Sequence, residues 1–308
     1  MGIKQIHIKN FMGLKELSLE FTHPNGEPLD MVVLAGPNGC GKTSVLEACI
    51  LALGHENLFP NPRNELQYIY KGSEQFYISA ALTYNGQEYN VKRTALNQYE
   101  AKDISIQIQT EYFTSWRYPK LLGSVSVNLG KERVTDRIKN RYYKIKQYLI
   151  NLKASQAFDD GHDQIIRIEE DFGKINELWK YFYPNRNERF IAKKISKDIS
   201  EGFDIFLDGR EQKPIPLDSL SSGEIEIFTF IGQRIIEPFS DGIIFIDEPE
   251  LHLHSSWHRT ILRVLRKIFQ KNQIICATHS QEILDSAYSY ERFTLLSEQD
   301  PRIRLRNL

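Results

Sequence analysis

The 308-residue sequence has few cysteines, almost no net charge and no long apolar run. Its three cysteines lack the paired spacing of a disulfide framework or a zinc site, so we expect reduced thiols. No apolar stretch approaches the ~20 residues that span a bilayer, and the N-terminus lacks the basic-then-apolar order of a signal peptide. The sequence therefore predicts a cytoplasmic protein without a membrane segment. A net charge of -1 does not exclude nucleic acid as a partner, because a local basic face is enough for phosphate contacts.

A glycine-rich segment, GPNGCGKTS at residues 36–44, lies between the apolar run MVVLA and the helically spaced run VLEACILAL. A strand, a tight loop and a helix in this order form a phosphate-binding layout, because glycines let backbone N–H groups turn towards a polyphosphate at the helix N-terminus. In this pattern Lys42 neutralises the β and γ oxygens and Thr43 ligates Mg²⁺. The predicted ATP-binding residues are Gly36, Pro37, Asn38, Gly39, Cys40, Gly41, Lys42, Thr43 and Ser44.

A second apolar run ends in two acids. The sequence IIFIDE predicts a buried strand with Asp247 and Glu248 at its carboxyl end, where ligands of open α/β sheets bind. We expect Asp247 to hold Mg²⁺ together with Thr43, and Glu248 to polarise the attacking water of a hydrolysis reaction.

A third segment, LSSGE, opens a predicted helix. Its hydroxyls and N–H groups suit a helix N-cap and also a second anion-binding site. The residues concerned are Ser221, Ser222, Gly223 and Glu224.

Taken together, these motifs resemble the ATP-binding cassette ATPases, in the branch of RecF, Rad50, SMC and overcoming-lysogenization-defect (OLD) proteins. The order GPNGCGKTS, LSSGE, IIFIDEPELHLH and ATHS is that of the P-loop, signature, Walker B and switch histidine, and the opening IKNFMGL is also similar. The resemblance implies a head-to-tail homodimer that sandwiches two ATP molecules. Ser222 and Gly223 of one subunit would contact the γ-phosphate held by the P-loop of the other, and His279 would sense that phosphate.

The order of elements predicts an α/β fold: a P-loop NTPase of the ATP-binding cassette type, with a mainly parallel central sheet, an antiparallel β subdomain and a helical-hairpin insert. The expected divisions are an N-terminal lobe over 1–125, the insert over 126–202 and a C-terminal lobe over 203–308. A hairpin turn at Asn85-Gly86, a strand over ISIQIQTEYF and one helix carrying Trp257, Ile261, Val264, Leu265 and Ile268 are also expected.

The insert has arms of opposite charge. Residues 131–153 hold eight Lys and Arg against two Asp and Glu, whereas residues 159–177 hold seven Asp and Glu against two Lys and Arg. The arms either attract each other or offer a basic surface to nucleic acid or another partner.

Four further side chains have ambiguous roles in the sequence. Arg117 forms either a structural ion pair or a phosphate contact. Gln156 is a candidate for the family's Q-loop glutamine, but its place in the helical insert favours a surface residue. His252 and His254 lack a second ligand cluster, and the resemblance places them in a loop that faces the dimer partner.

These features predict a soluble Mg²⁺-dependent ATPase whose ATP-bound dimer, or a higher oligomer, gates a DNA-linked process in anti-phage defence or DNA repair. Only 29 residues follow His279, so we expect an effector such as a nuclease on a separate chain. DNA is a possible ligand. The alternatives are the nucleotide-binding subunit of a transporter and a low-turnover, antitoxin-like scaffold.

Overall fold

The computed structural model describes residues 1–60, 63–95, 98–101, 108–115, 117, 141–158, 162–195, 202–238 and 240–296. The chain divides into two units, of which the first comprises Met1–Trp116, Phe239–Leu251 and Ser255–Leu308, and the second Arg117–Pro238 and His252–His254. The three-segment division expected from the sequence stays a prediction.

The strands, in chain order, are β1 (Gly2–Phe11), β2 (Leu14–Glu20), β3 (Met31–Ala35), β4 (Tyr77–Tyr84), β5 (Gln87–Ala95), β6 (Gln98–Ala101), β7 (Thr110–Phe113), β8 (Arg189–Lys194), β9 (Phe203–Asp208), β10 (Ile215–Pro216), β11 (Ile243–Asp247), β12 (Gln273–Thr278) and β13 (Arg292–Thr294). The α-helices are α1 (Lys42–Ala52), α2 (Arg141–Phe158), α3 (His162–Phe182), α4 (Ser222–Ile236), α5 (Ser255–His258), α6 (Ile261–Ile268) and α7 (Gln281–Ser286).

The first unit is built on a parallel sheet with strand order β13-β3-β12-β11-β7. Its inner strands β3, β11 and β12 are buried along their whole length, as expected for parallel strands that are covered on both faces. Because all five strands run the same way, the chain segments that follow β3, β11 and β12 emerge at one edge of the sheet. The predicted α/β class with a mainly parallel sheet is confirmed.

The first unit also contains an antiparallel sheet with strand order β2-β1-β4-β5-β6. Asn85 and Gly86 join β4 to β5 with left-handed φ values of 50° and 74°, the conformation that a two-residue hairpin turn requires. The predicted hairpin is therefore confirmed. Of the predicted strand ISIQIQTEYF, only Thr110–Phe113 is seen as strand, and residues 104–107 lie outside the described residues.

Helix α1 lies between the two sheets and contacts β11 and β12 on one side and β1, β4 and β5 on the other. It is buried around almost its whole circumference, which explains its apolar composition without a polar face. Cys49 lies on this helix, and burial raises the pKa of its thiol. Like Cys49, Cys40 and Cys276 are buried free thiols.

The prediction of a single helix after Walker B is wrong. The segment forms two helices, α5 and α6, which are separated by Arg259 and Thr260. The backbone N–H of Thr260 donates to the carbonyl oxygen of Trp257 at 2.9 Å, and its hydroxyl donates to the same oxygen at 3.1 Å. These two bonds compete with the backbone hydrogen bonds between residues four apart that a continuous α-helix needs. The four aliphatic side chains of α6 are buried as predicted, whereas Trp257 is half-buried.

The second unit contains α2, α3 and α4 with the antiparallel sheet β10-β9-β8. Helices α2 and α3 form the two arms of the predicted helical insert (126–202), whose first part, residues 126–140, lies outside the described residues. The hydroxyl of Tyr148 donates to Asp171 at 2.9 Å and joins the arms.

Arg117 forms the structural ion pair, with Glu226, and both side chains are buried.

Helices α2 and α4 pack closely because Gly232 has no side chain. A Cβ atom at position 232 would lie 2.4 Å from the Cγ2 of Ile145, which is less than any van der Waals contact. In the parts of the chain that the structure describes, no helix is both long and apolar enough to cross a bilayer.

A buried cation ties α2 to the short turn that precedes the LSSGE segment. The Nζ of Lys146 lies 2.9 Å from Asp204 and 2.8 Å from Asp218, and the Lys146 side chain is only 1% exposed. Tyr142 also donates to Asp218, and burial, reinforced by that carboxylate, raises the pKa of Tyr142. Two carboxylates therefore depend on one ammonium group for their charge compensation.

We expect Lys146→Met to lower the free energy of unfolding of the second unit by about 3–5 kcal/mol, since Asp204 and Asp218, whose side chains are only 11% and 15% exposed, lose this counter-charge. Lys174→Met is the matched control, because Lys174 pairs with Glu170 on the exposed surface of α3 and such pairs contribute about 0.5 kcal/mol or less. Urea unfolding of the two variants measures the difference, and equal midpoints would contradict the role given to Lys146.

Candidate nucleotide site

The loop between β3 and α1 has the shape that its glycines predict. Gly39 and Gly41 have left-handed φ values of 78° and 96°, which glycine adopts without strain. A Cβ atom on Gly36 would lie 2.3 Å from the backbone oxygen of Leu295, so this position accepts no side chain. The loop therefore turns tightly and presents backbone rather than side chains.

Lys42 folds back into the loop. Its Nζ donates to the carbonyl oxygens of Gly36 and Pro37 at 2.8 and 3.0 Å. The Cys40 side chain is also buried, and its Sγ lies 4.0 Å from the same Nζ, at the edge of hydrogen-bond distance. The ammonium group is thus held where the oxygens of a polyphosphate could replace the two carbonyls.

Thr43 and Asp247 link the P-loop to the end of strand β11. The Thr43 hydroxyl donates to Oδ2 of Asp247 at 3.0 Å, and Asp247 is almost fully buried. A hydroxyl and a carboxylate oxygen are hard donors of the kind that Mg²⁺ prefers, and Mg²⁺ usually combines one or two such groups with water and substrate phosphates. The oxygen donor set therefore fits Mg²⁺ held together with a nucleotide.

Glu47 is a further acid near this pair, and the sequence motifs did not predict it. It lies one turn beyond Thr43 on α1, is buried, and forms an ion pair with Arg63. Burial raises the pKa of Glu47, the Arg63 charge opposes this shift, and the negative charge of Asp247 adds to it. A glutamate inside the otherwise apolar run VLEACILAL was the signal that could have revealed it.

Glu248 follows β11 with a left-handed φ of 55°, which costs a non-glycine residue on the order of 1 kcal/mol. Its backbone N–H donates to the carbonyl oxygen of Ala277 at 2.7 Å, and its side chain is 32% exposed. The turn brings this carboxylate towards solvent beside the buried Asp247.

His279 follows β12 at the same edge of the sheet. Its Nδ1 lies 3.2 Å from Oε1 of Glu250 and 3.7 Å from Oε1 of Glu248. A cleft of about 410 Å³ adjoins it, lined by Ala35, Gly36, Pro37, Asn38, His279, Ser280, Gln281, Leu284 and Thr294. The structure therefore brings the P-loop, Thr43, Asp247, Glu248 and His279 together within the first unit, and Ser44 is buried at the start of α1.

The LSSGE residues lie in the second unit at the start of α4. Ser221 is the N-cap, and it forms a capping box with Glu224 through bonds of 3.0 to 3.3 Å. Ser222 is exposed. A Cβ atom on Gly223 would lie 2.7 Å from the backbone oxygen of His252, so a glycine is needed here.

Glu224 is also bound by Arg210, whose Nη2 donates to Oε1 at 2.5 Å. Burial alone would raise the pKa of Glu224, but the hydrogen bonds from Arg210 and Ser221 outweigh it and hold the pKa below its usual value. The ionised carboxylate therefore contributes to the stability of the turn that carries Ser222.

Of the remaining candidates, Gln156 lies on α2, and its side chain is outside what the structure describes. His252 and His254 belong to the second unit, in the segment that passes over Gly223. Within the described residues, no group of three or more His, Cys, Asp and Glu side chains is arranged to hold a metal ion.

The chain is similar to several known proteins. A family model described as "AAA domain, putative AbiEii toxin, Type IV TA system" matches residues 31–285. The "Retron Ec83 probable ATPase" of Escherichia coli is 35% identical, and the match covers 97% of this chain and 72% of that protein. The "Septu protein PtuA" of Bacillus mycoides (strain KBAB4) is 23% identical over 97% of this chain, which spans only 41% of that relative.

Among solved structures, a similar one is the SmcHead bound to the C-winged helix domain of ScpA, with a TM-score of 0.61, 14% identity and 92% of each chain covered. At this identity the likeness concerns the fold. The predicted place in the RecF, Rad50, SMC and OLD branch is confirmed by these comparisons together with further matches to an OLD nuclease and a Rad50 ATPase.

The depressed pKa of Glu224 gives a pH prediction. A carboxylate whose pKa is lower in the folded state contributes stability above its unfolded pKa, and this stability is lost as the pH falls through the folded pKa. We expect wild type to lose unfolding free energy on acidification below about pH 4.5 more steeply than Glu224→Gln, which has no carboxylate to protonate. Urea unfolding at a series of pH values measures this, with the exposed Glu211→Gln as control. Parallel curves for wild type and Glu224→Gln would contradict it.

Proposed function

Because the chain belongs to the family described as AAA domain, putative AbiEii toxin, Type IV TA system, we propose that it is a Mg²⁺-dependent ATPase that acts as a nucleotide-dependent dimer. The observation that carries the proposal is the Thr43–Asp247 hydrogen bond beside a closed P-loop. It gives a metal-binding oxygen pair next to a polyphosphate cradle, which is the minimum that phosphoryl transfer needs.

In this proposal the loop and Lys42 bind the triphosphate. The Lys42 ammonium exchanges the carbonyl oxygens of Gly36 and Pro37 for β and γ oxygens, and the glycine backbone N–H groups supply further donors. Thr43 and Asp247 hold Mg²⁺, which supplies positive charge to the phosphate oxygens.

Glu248 is the general base of the proposed reaction. Its half-buried carboxylate orients a water molecule and accepts its proton while the water oxygen bonds to the γ-phosphorus. The bond from that phosphorus to the bridging oxygen breaks, and ADP and phosphate leave. His279, beside the cleft at Gly36, contacts the γ-phosphate.

The dimer part of the proposal concerns Ser222 and Gly223. Both lie at the N-terminus of α4, a 15-residue helix, where N–H groups and the helix dipole favour an anion. Ser222 is exposed, so a second copy of the chain can approach it. By the resemblance to head-to-tail ATPase dimers, the anion that Ser222 and Gly223 contact is the triphosphate on the P-loop of the other subunit. Association then depends on the nucleotide.

We further propose that this cycle gates a DNA-linked process in anti-phage defence or DNA repair, with the effector on a separate chain. The similarity to a retron ATPase and to a Septu protein supports this assignment.

Two substitutions test the proposal. We expect Glu248→Gln to retain ATP and to lower turnover by at least about 100-fold, because the general base is lost. Analytical ultracentrifugation should show this variant as a dimer with ATP and Mg²⁺ and as a monomer without nucleotide. Adding Ser222→Arg should return it to a monomer that still binds ATP.

Gln212→Arg in the Glu248→Gln background is the matched control, since it adds the same side chain at an exposed loop position of the second unit. Full turnover in Glu248→Gln removes Glu248 from its proposed role, whereas a wild type that binds ATP without turnover leaves the scaffold alternative. A dimer that tolerates Ser222→Arg refutes the head-to-tail arrangement.

A further inference from the structure

Two exposed tyrosines lie side by side on the surface of the first unit. Tyr288 and Tyr290 are 59% and 49% exposed, and their rings stack with centroids 5.6 Å apart and planes 22° from parallel. Atoms in direct contact are about 3.5–4 Å apart, so near-parallel rings at this centroid distance are laterally offset. Each ring therefore leaves part of its face uncovered.

Two other side chains hold this stack in place. The guanidinium of Arg266, on α6, lies 5.1 Å from the centre of the Tyr288 ring, and Arg266 is itself fixed by an ion pair with Glu291. The ring of His23 lies 5.2 Å from that of Tyr290, at a tilt of 53°. The aromatic surface is thus ordered before any ligand binds, which lowers the entropy cost of binding.

A basic strip along α6 adjoins the tyrosines. Residues 251–280 contain five Lys and Arg and no Asp or Glu. On α6, Arg263 and Lys267 are exposed one helical turn apart, and Arg263 has no ion pair among the described residues. Arg292 donates to the carbonyl oxygen of Ala287 at 2.7 and 2.9 Å and adds a positive charge next to the first tyrosine.

The acids near this surface cancel only part of its charge. Glu291 is buried and neutralises Arg266, with Oε2 2.6 Å from Nη2. Glu282 is exposed and interacts with Arg259, which precedes α6. Asp285 is exposed and accepts a hydrogen bond from Gln281. The charge that remains lies on α6 beyond Arg266 and on Arg292.

We propose that this surface, the tyrosine–arginine patch of Tyr288, Tyr290, Arg263, Arg266 and Arg292, binds single-stranded nucleic acid. Bases stack on the tyrosine rings, and the cations on α6 bind successive phosphates. The inference deepens the proposed function, on which it rests for a DNA-linked role. Binding at the patch itself needs no ATP turnover.

The combination of rings and cations favours a single strand over other anions. Proteins bind single strands with aromatic side chains beside a positively charged groove, because a single strand offers base faces as well as phosphates. A duplex keeps its base faces stacked inside, so it would use the cations and leave the tyrosines unoccupied. An acidic protein would also meet the cations, but a strip without acids along α6 suits a regularly repeated negative charge.

Fluorescence anisotropy tests the role of the rings. The probe is a fluorescein-labelled oligothymidylate of about 20 nucleotides, which exceeds a typical single site, added to the full chain without ATP. We expect Tyr288→Ala/Tyr290→Ala to weaken the affinity by at least about 10-fold, because two stacking surfaces are lost. Tyr288→Phe/Tyr290→Phe keeps both rings and should bind like wild type. Tyr181→Ala, which removes an exposed ring in the second unit, is the matched control and should have no effect.

The salt dependence tests the phosphate contacts. We expect Arg263→Glu to weaken binding and to reduce the slope of log affinity against log salt concentration by about 1, because one phosphate contact is lost. Lys180→Glu makes the same change of charge at an exposed position of α3 and should leave the slope unchanged. Since Arg263 is exposed, this variant decides the question even if the tyrosine-to-alanine variant does not fold.

Several outcomes would overturn the proposal. They are a wild type that does not bind the oligonucleotide, a folded tyrosine-to-alanine variant that binds it like wild type, and a slope that Arg263→Glu leaves unchanged. A duplex of the same length that binds as tightly as the single strand would also do so. Polyglutamate that displaces the probe as well as unlabelled oligothymidylate does would assign the patch to an acidic protein instead. If the patch binds the oligonucleotide but the chain does not hydrolyse ATP, the proposed function fails and this inference stands.

Discussion

The hydrogen bond from Thr43 to Asp247 joins residues 204 positions apart, and the candidate site depends on it. Parallel pairing of β3, β12 and β11 makes it possible, because the loop after β3 and the acids that end β11 emerge at one edge of the sheet. The buried helix α1 then fixes where Thr43 stands, since it is enclosed between two sheets and has little room to move. The polar chemistry therefore relies on apolar packing around it.

Much of this arrangement follows from local sequence. The glycines of the P-loop, the apolar strand before Asp247 and the serine-glycine start of α4 each determine their own conformation, so their elements could be predicted. The order of the elements predicted the mainly parallel sheet and the helical hairpin.

Other features depend on partners that are distant in sequence, and no local pattern predicts them. The pairing of Glu47 with Arg63 and that of Lys146 with Asp204 and Asp218 need the folded chain. The contact of Glu250 with His279 is of the same kind, because it joins the turn after β11 to the end of β12. The single helix expected from Trp257 to Ile268 was wrong for a local reason instead, since the hydroxyl of Thr260 bonds to the carbonyl oxygen of Trp257, three residues earlier.

Three acids near the end of β11 differ in environment. Asp247 is buried against Thr43, Glu248 is turned towards solvent, and Glu250 is buried against His279. Under the proposed function, these environments assign metal binding to Asp247 and proton acceptance to Glu248.

The central claim is that the P-loop and the acidic strand form one metal–nucleotide site, and Mn²⁺, a paramagnetic substitute for Mg²⁺, tests it directly. Electron paramagnetic resonance titrations should show Mn²⁺ binding that requires ATP and that weakens by about 10-fold or more in both Thr43→Val and Asp247→Asn. Equal Mn²⁺ affinity in wild type and both variants would contradict the claim.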